Sequence, residues 1–160
     1  MIVKVLIGIL WLYLSVVAAQ QNVPYNNCGD SNTIFSVEDF SVTPLPPQIG
    51  RDVTLTANIN SADVVTGGTV TVEVRGMGPL AFISEKKSLD LCRNSPNGCP
   101  IPKGKTSLRV TRKIPNFVPK GTYEIKITAK DNRGRELICG SVNMTFQRSA
   151  LSRLLRYLRF

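Results

Sequence analysis

Tyr123-Glu124-Ile125-Lys126-Ile127-Thr128-Ala129-Lys130 puts an apolar side chain at every odd position and a polar one at every even position. A period of two belongs to an extended chain with one face buried and the other in water, because successive side chains of a strand point to opposite faces. The same alternation recurs at Val53-Thr54-Leu55-Thr56-Ala57-Asn58-Ile59 and at Val70-Thr71-Val72-Glu73-Val74. Working outward, Thr33–Val42, Leu80–Ser84, Thr106–Lys113 and Glu136–Gln147 are rich enough in β-branched and aromatic residues to be strands too, about seven in all.

What separates these segments is turn chemistry: Pro44-Leu45-Pro46-Pro47, Gly67-Gly68, Gly76-Met77-Gly78-Pro79, Pro119-Lys120-Gly121 and Asp131-Asn132-Arg133-Gly134. No helical period occurs before residue 148. The pattern predicts an all-β fold, an immunoglobulin-like antiparallel β-sandwich. It departs from antibody domains, which bury a tryptophan between their cysteines; the one tryptophan here, Trp11, lies in the leading segment.

That segment, residues 1–19, carries Lys4, a run of 13 mainly apolar residues from Val5 to Val17, and small residues at Val17-Ala18-Ala19. This is the layout of a secretory signal peptide; the competing reading, a retained membrane anchor, needs roughly 20 apolar residues to span a bilayer. The expected organisation is a signal at 1–19, a domain at 20–147 and a basic tail at 148–160. Without the signal, 19 Lys+Arg face 11 Asp+Glu, a net charge of +8.

The 160 residues include no histidine. That removes Ser-His-Asp and Cys-His nucleophile pairs, imidazole bases and histidine-ligated zinc. Glu38, Asp39, Asp52 and Asp63 form no arrangement that a sequence can mark as catalytic, so an enzyme is the least favoured class and neither cofactor nor metal is expected.

Four cysteines in an oxidising compartment imply two disulfides in one of three connectivities. Cys92 and Cys99 bracket the turn-rich Arg93-Asn94-Ser95-Pro96-Asn97-Gly98, which favours a local staple and leaves Cys28 to pair with Cys139 across the domain.

Several of these residues form a recognisable set: Asn27-Cys28-Gly29; the hairpin Asp90-Leu91-Cys92 with Cys99-Pro100-Ile101-Pro102-Lys103-Gly104; Lys113-Ile114-Pro115; Val118-Pro119-Lys120-Gly121-Thr122-Tyr123; and Leu137-Ile138-Cys139. From about Tyr25 to Phe146 the chain resembles the ML lipid-recognition family, which includes the Niemann–Pick type C sterol carrier and the phosphatidylglycerol/phosphatidylinositol transfer proteins. The resemblance implies a sandwich whose interior stays partly hollow and holds one sterol or phospholipid. Alternation alone describes a filled core equally well.

By that resemblance the binding residues would be the inward Leu55, Val72 and Val74, then Tyr123, Ile125 and Phe146 on the later strands. Leu80 and Phe82 would stand at the mouth, and Ile114, Phe117, Val118 and Pro119 would form an apolar entrance loop, unless that loop folds back on the core. The additional cysteine pair that the sterol carriers have near the first turn is absent, which leans toward the phospholipid-transfer branch and leaves sterol or phospholipid open.

Two features lie outside the resemblance. In the tail, Leu151, Leu154, Leu155 and Leu158 recur at helical spacing with Arg153, Arg156 and Arg159 between them. Such a basic amphipathic helix suits an anionic membrane surface, or else packs on the sandwich. Asn143-Met144-Thr145 is a sequon for N-glycosylation on the outward parity of the last strand. The other cations are dispersed and not interleaved with aromatics, so no nucleic-acid partner is expected. A secreted or endo-lysosomal monomer that binds and transfers lipid is the leading expectation. The rival is a secreted recognition module, for innate immunity or for a protein or glycolipid partner.

Overall fold

The computed structural model describes residues 21–148; the expected signal peptide and nearly all of the basic tail, including Leu151 to Arg159, lie outside the described residues. Among the described residues nine strands follow in chain order: β1 (Gln21–Asn22), β2 (Asn26–Asn27), β3 (Phe35–Thr43), β4 (Asp52–Ser61), β5 (Gly68–Gly76), β6 (Ser84–Asp90), β7 (Gly104–Lys113), β8 (Gly121–Asp131) and β9 (Glu136–Phe146). They make two sheets, ordered β1-β3-β4-β7 and β2-β9-β8-β5-β6, with every neighbouring pair antiparallel. The seven long strands are the β-sandwich the alternation requires.

Inside, the alternating rows face one another. Val53, Leu55, Ala57 and Ile59 are the inward row of β4, and Tyr123, Ile125, Ile127 and Ala129 that of β8. On β3 a bulge between Val37 and Asp39 shifts the parity by one, so Phe35 and Val37 as well as Phe40 and Val42 turn inward. Two apolar clusters result. One, centred on Tyr123, Val42 and Met144, lies toward the turns at 44–51, 77–83 and 114–120; the other, centred on Ile59, Leu137 and Val65, lies toward the opposite end.

One edge of the sandwich is closed and the other is not. At the closed edge the chain passes from β1 in one sheet to β2 in the other, and Cys28–Cys139 fastens it to β9 across 111 positions. At the other edge β6 and β7 are both last in their sheets, with no strand joining them among the described residues. The segment Leu91–Cys99, stapled by Cys92–Cys99, lies here, its single helical turn Leu91–Asn94 capped by the Asp90 carboxylate on the Arg93 amide at 2.8 Å.

Three details correct the sequence reading. Two strands of two residues each precede Cys28, where no strand was expected. The expected strand at Leu80–Ser84 is instead a 3-10 turn at Gly78–Leu80, begun at a proline, and a loop. The strand on that edge is β6, and its sequence Ser-Glu-Lys-Lys-Ser-Leu-Asp leaves only Leu89 half-buried. A polar, lysine-bearing edge has no apolar row for a period to reveal, and it discourages pairing with another chain.

Candidate functional site

Between the sheets lies an apolar cavity of about 170 Å³. Leu55, Ala57 and Ile59 of β4 with Leu108 and Val110 of β7 form one wall; Val70 and Val72 of β5 with Ile127 and Ala129 of β8 form the other. Each of these side chains is there because strand parity turns it inward.

Tyr25 closes the cavity on the β1–β2 side. Its ring occupies the space a side chain at position 140 would need, so only glycine admits it there. The hydroxyl donates to the Cys139 carbonyl at 2.9 Å, and the ring lies 6.1 Å from that of Phe40. Burial pushes the Tyr25 pKa up, which keeps the hydroxyl a donor at any physiological pH.

On the open side the rim is formed by Leu89 of β6, Leu108 and Val110 of β7, and Asn94 and Ser95 of the stapled segment, all half-buried. Among the described residues, Asn94 and Ser95 are the only polar side chains lining the cavity apart from the Tyr25 hydroxyl. The Asn94 amide is oriented by donating to the Asp90 carbonyl at 2.7 Å, and its oxygen accepts from Arg112 Nη2. Arg112 continues the inward row of β7 beyond Leu108 and Val110, and the guanidinium also donates to the Thr111 carbonyl at 3.1 Å. Across the opening, Lys87 pairs in register with Val72, and directly opposed residues share a face, so Lys87 stands on the inward row of β6.

The structure distributes the expected binding residues over three places. Leu55 and Val72 line the cavity. Ile114, Tyr123, Ile125 and Phe146 are buried in the neighbouring cluster, with Val74, Leu80 and Val118 packed against it; the Tyr123 hydroxyl donates to the Pro119 carbonyl at 2.9 Å and its ring stacks on Phe146. Phe82 and Phe117 are exposed, at 81% and 84%, on the same end of the sandwich as Met77, and Pro119 is exposed beside them. Asn143 is exposed on the outer row of β9. Apart from Leu55 and Val72 the sequence reading missed the lining, Tyr25, Ala57, Leu89, Asn94 and Leu108 among it. Ala57 and Leu108 sit in rows whose alternation was visible; Tyr25 and Leu89 carry no periodic signal.

Comparison with known proteins follows the same fold. The ML domain family model matches residues 22–146. A protein of Dictyostelium discoideum to which phosphatidylglycerol/phosphatidylinositol transfer is ascribed is 31% identical over 121 residues, covering 76% of this chain and 84% of that protein. A phosphatidylglycerol/phosphatidylinositol transfer protein of Eremothecium gossypii is 30% identical over 145 residues, covering 82% and 67% respectively. Among solved structures, a Niemann-Pick type C2 protein from Japanese carpenter ant superposes with a TM-score of 0.61 at 13% identity, covering 78% of this chain and 99% of that one. At that identity the likeness is one of fold.

Proposed function

The chain belongs to the ML domain family, and from that premise we propose that it binds a lipid between its two sheets and carries it between membranes as a secreted or endo-lysosomal monomer. The observation that carries the reading is the cavity itself: hydrocarbon on both walls, open at one strand edge, with polar groups confined to Tyr25 at the back and Asn94 and Ser95 at the rim. Burying a methylene in such a place gains about 0.8 kcal/mol, so a single acyl chain supplies ample affinity with no chemistry. The four cysteines are all in disulfides.

Size sets a condition on the mechanism. About 170 Å³ is the scale of an apolar cavity that takes up benzene, whereas sites for drug-sized ligands run from about 300 to 1,000 Å³. A whole lipid therefore enters by parting the sheets. The unjoined β6 and β7 edges permit this, and parting the packed cluster around Val74, Ile114, Tyr123, Ile125 and Phe146 would extend the space toward the end that carries Phe82 and Phe117. Those two exposed aromatics suit docking on a bilayer, as does the basic tail with Leu151, Leu154 and Arg156.

A phospholipid is favoured over a sterol, because the curated relatives named above are phospholipid transfer proteins and the fold likeness to a Niemann-Pick type C2 protein specifies no ligand. To test the reading, the protein is purified from a secreting host, extracted with organic solvent, and the extract identified by mass spectrometry. Recovered phospholipid is expected. Protein that is repeatedly empty, and that takes up neither fluorescent phospholipid nor fluorescent sterol, would sink the reading. Phe117→Asp is expected to slow transfer between vesicles while leaving the fold intact. The same preparation shows by its mass whether Asn143 carries a glycan.

A further inference from the structure

We infer that Lys87 and Arg112, on the inward rows of the two edge strands that flank the β6–β7 opening, with Asn94 and Ser95 at its rim, form a site for the phosphate of an anionic phospholipid whose acyl chain enters the cavity behind them. The inference rests on the lipid-carrier reading and names the headgroup that reading leaves open.

Four observations converge on it. The first is position: Lys87 and Arg112 sit on the inward rows of the two edge strands, directly beyond the hydrocarbon of Leu89 on one side and Val110 on the other. A chain lying against those residues would bring its polar end to the strand edge that carries both cations. The second is pairing. Lys86, next to Lys87, is bound to Glu73 at 2.7 Å, and Lys105, earlier on β7, to Glu38 at 3.0 Å, but neither Lys87 nor Arg112 has a carboxylate within 4.0 Å among the described residues. Glu85, the one acid on the inward row of β6, lies one strand pair further from the cavity, opposite Val74.

The third is preorganisation. Arg112 is held at the rim by Asn94, whose own amide is fixed by the Asp90 carbonyl, so the guanidinium is positioned before any ligand arrives. Guanidinium and ammonium donors match phosphate oxygens, and such charge-assisted bonds are about twice as strong as neutral ones. The fourth is the contrast with the interior, where a phosphate would be stranded: the walls carry only hydrocarbon and the Tyr25 hydroxyl is already committed. Inward charges on edge strands also serve to block sheet-to-sheet pairing; that role would not require Asn94 to orient one of them.

The test uses the full secreted chain and two probes with the same fluorescent acyl chain, phosphatidylglycerol and diacylglycerol, which differ only in the headgroup. Wild-type protein is expected to bind the phosphatidylglycerol at least about tenfold more tightly. Lys87→Gln with Arg112→Gln should bring that ratio close to one while diacylglycerol binding stays unchanged. Arg109→Gln with Lys126→Gln removes the same charge from the outer faces and should keep the preference. A Lys87/Arg112 variant that retains the preference, or a wild type that binds both probes equally, overturns the headgroup assignment alone. A wild type that binds neither overturns the carrier reading beneath it. Glycerol 3-phosphate at millimolar concentration should not displace bound phosphatidylglycerol; displacement at lower concentration would make the site one for free phosphate esters and overturn the lipid source.

Discussion

Ala57→Phe separates a hollow sandwich from a filled one. Ala57 lies half-buried on the inward row of β4, between Leu55 and Ile59, and lines the cavity. At about 24 cal/mol per Å³, a cavity of about 170 Å³ costs the fold on the order of 4 kcal/mol. A benzene-sized ring nearly fills such a volume, so a phenyl group at position 57 recovers most of that cost. Overpacking strain of about 1–3 kcal/mol opposes it, leaving a net gain of about 1–3 kcal/mol and a rise in Tm of roughly 3–9 °C. The lipid meanwhile loses its place: excluding four methylenes removes about 3 kcal/mol, more than a hundredfold in affinity. Thermal unfolding and fluorescent phospholipid uptake measured on one preparation read both effects, and the expected signature is that they move in opposite directions. A variant that is stabilised and still binds lipid would refute the cavity as the binding site. One that is destabilised with binding intact would refute its being hollow.

Gly140→Ala should expel the Tyr25 ring, break its bond to the Cys139 carbonyl and lower stability by about 1–3 kcal/mol, seen as a reduced urea midpoint. Loss of Cys28–Cys139, which closes 111 positions, should cost about 5 kcal/mol in the chain-entropy model, against about 2 kcal/mol for Cys92–Cys99, which closes 7; equal losses in urea titrations of the two serine double variants would contradict this. Acid sensitivity should begin late. Hydrogen bonding from Arg135, then from the Val64 amide, holds the Asp63 carboxyl below its usual range, and Lys86 does the same to Glu73. Because these folded-state values lie below the unfolded ones, their stabilisation is complete above about pH 4.5 and is lost as the pH falls through the carboxylate range. With no histidine in the chain, unfolding free energy should be flat from pH 7 to 5; a loss centred near pH 6 would refute the assignment.

The fold was legible wherever one face of a strand is buried and the other wet. The β4, β5 and β8 rows announced themselves by period two, and the four-cysteine spacing paired correctly because only Cys92 and Cys99 are close enough for a local staple. Legibility failed where that physical condition failed. The edge strand β6 has almost no buried row to betray it, and β1 and β2 are held by a few backbone bonds at the closed edge. At β3 the bulge breaks the parity that a strict alternation would follow, so its inward residues could not be assigned from the sequence.

The cavity was hidden for a different reason. Leu55, Ala57 and Ile59 would read identically in a dry core, because hydrophobic pattern reports which face is inward and not how far apart two inward faces stand. That separation is set here by elements with no periodic signature: Tyr25 wedged over Gly140 at one edge, and the stapled Leu91–Cys99 segment at the other. The same logic explains why Arg112 gave no signal. In sequence it is one of several dispersed cations, and only the β7 parity together with the hydrogen bond to Asn94 brings it to the rim of an apolar space. A charge becomes part of a site through the hydrocarbon it stands beside, and that adjacency exists only once both sheets are formed.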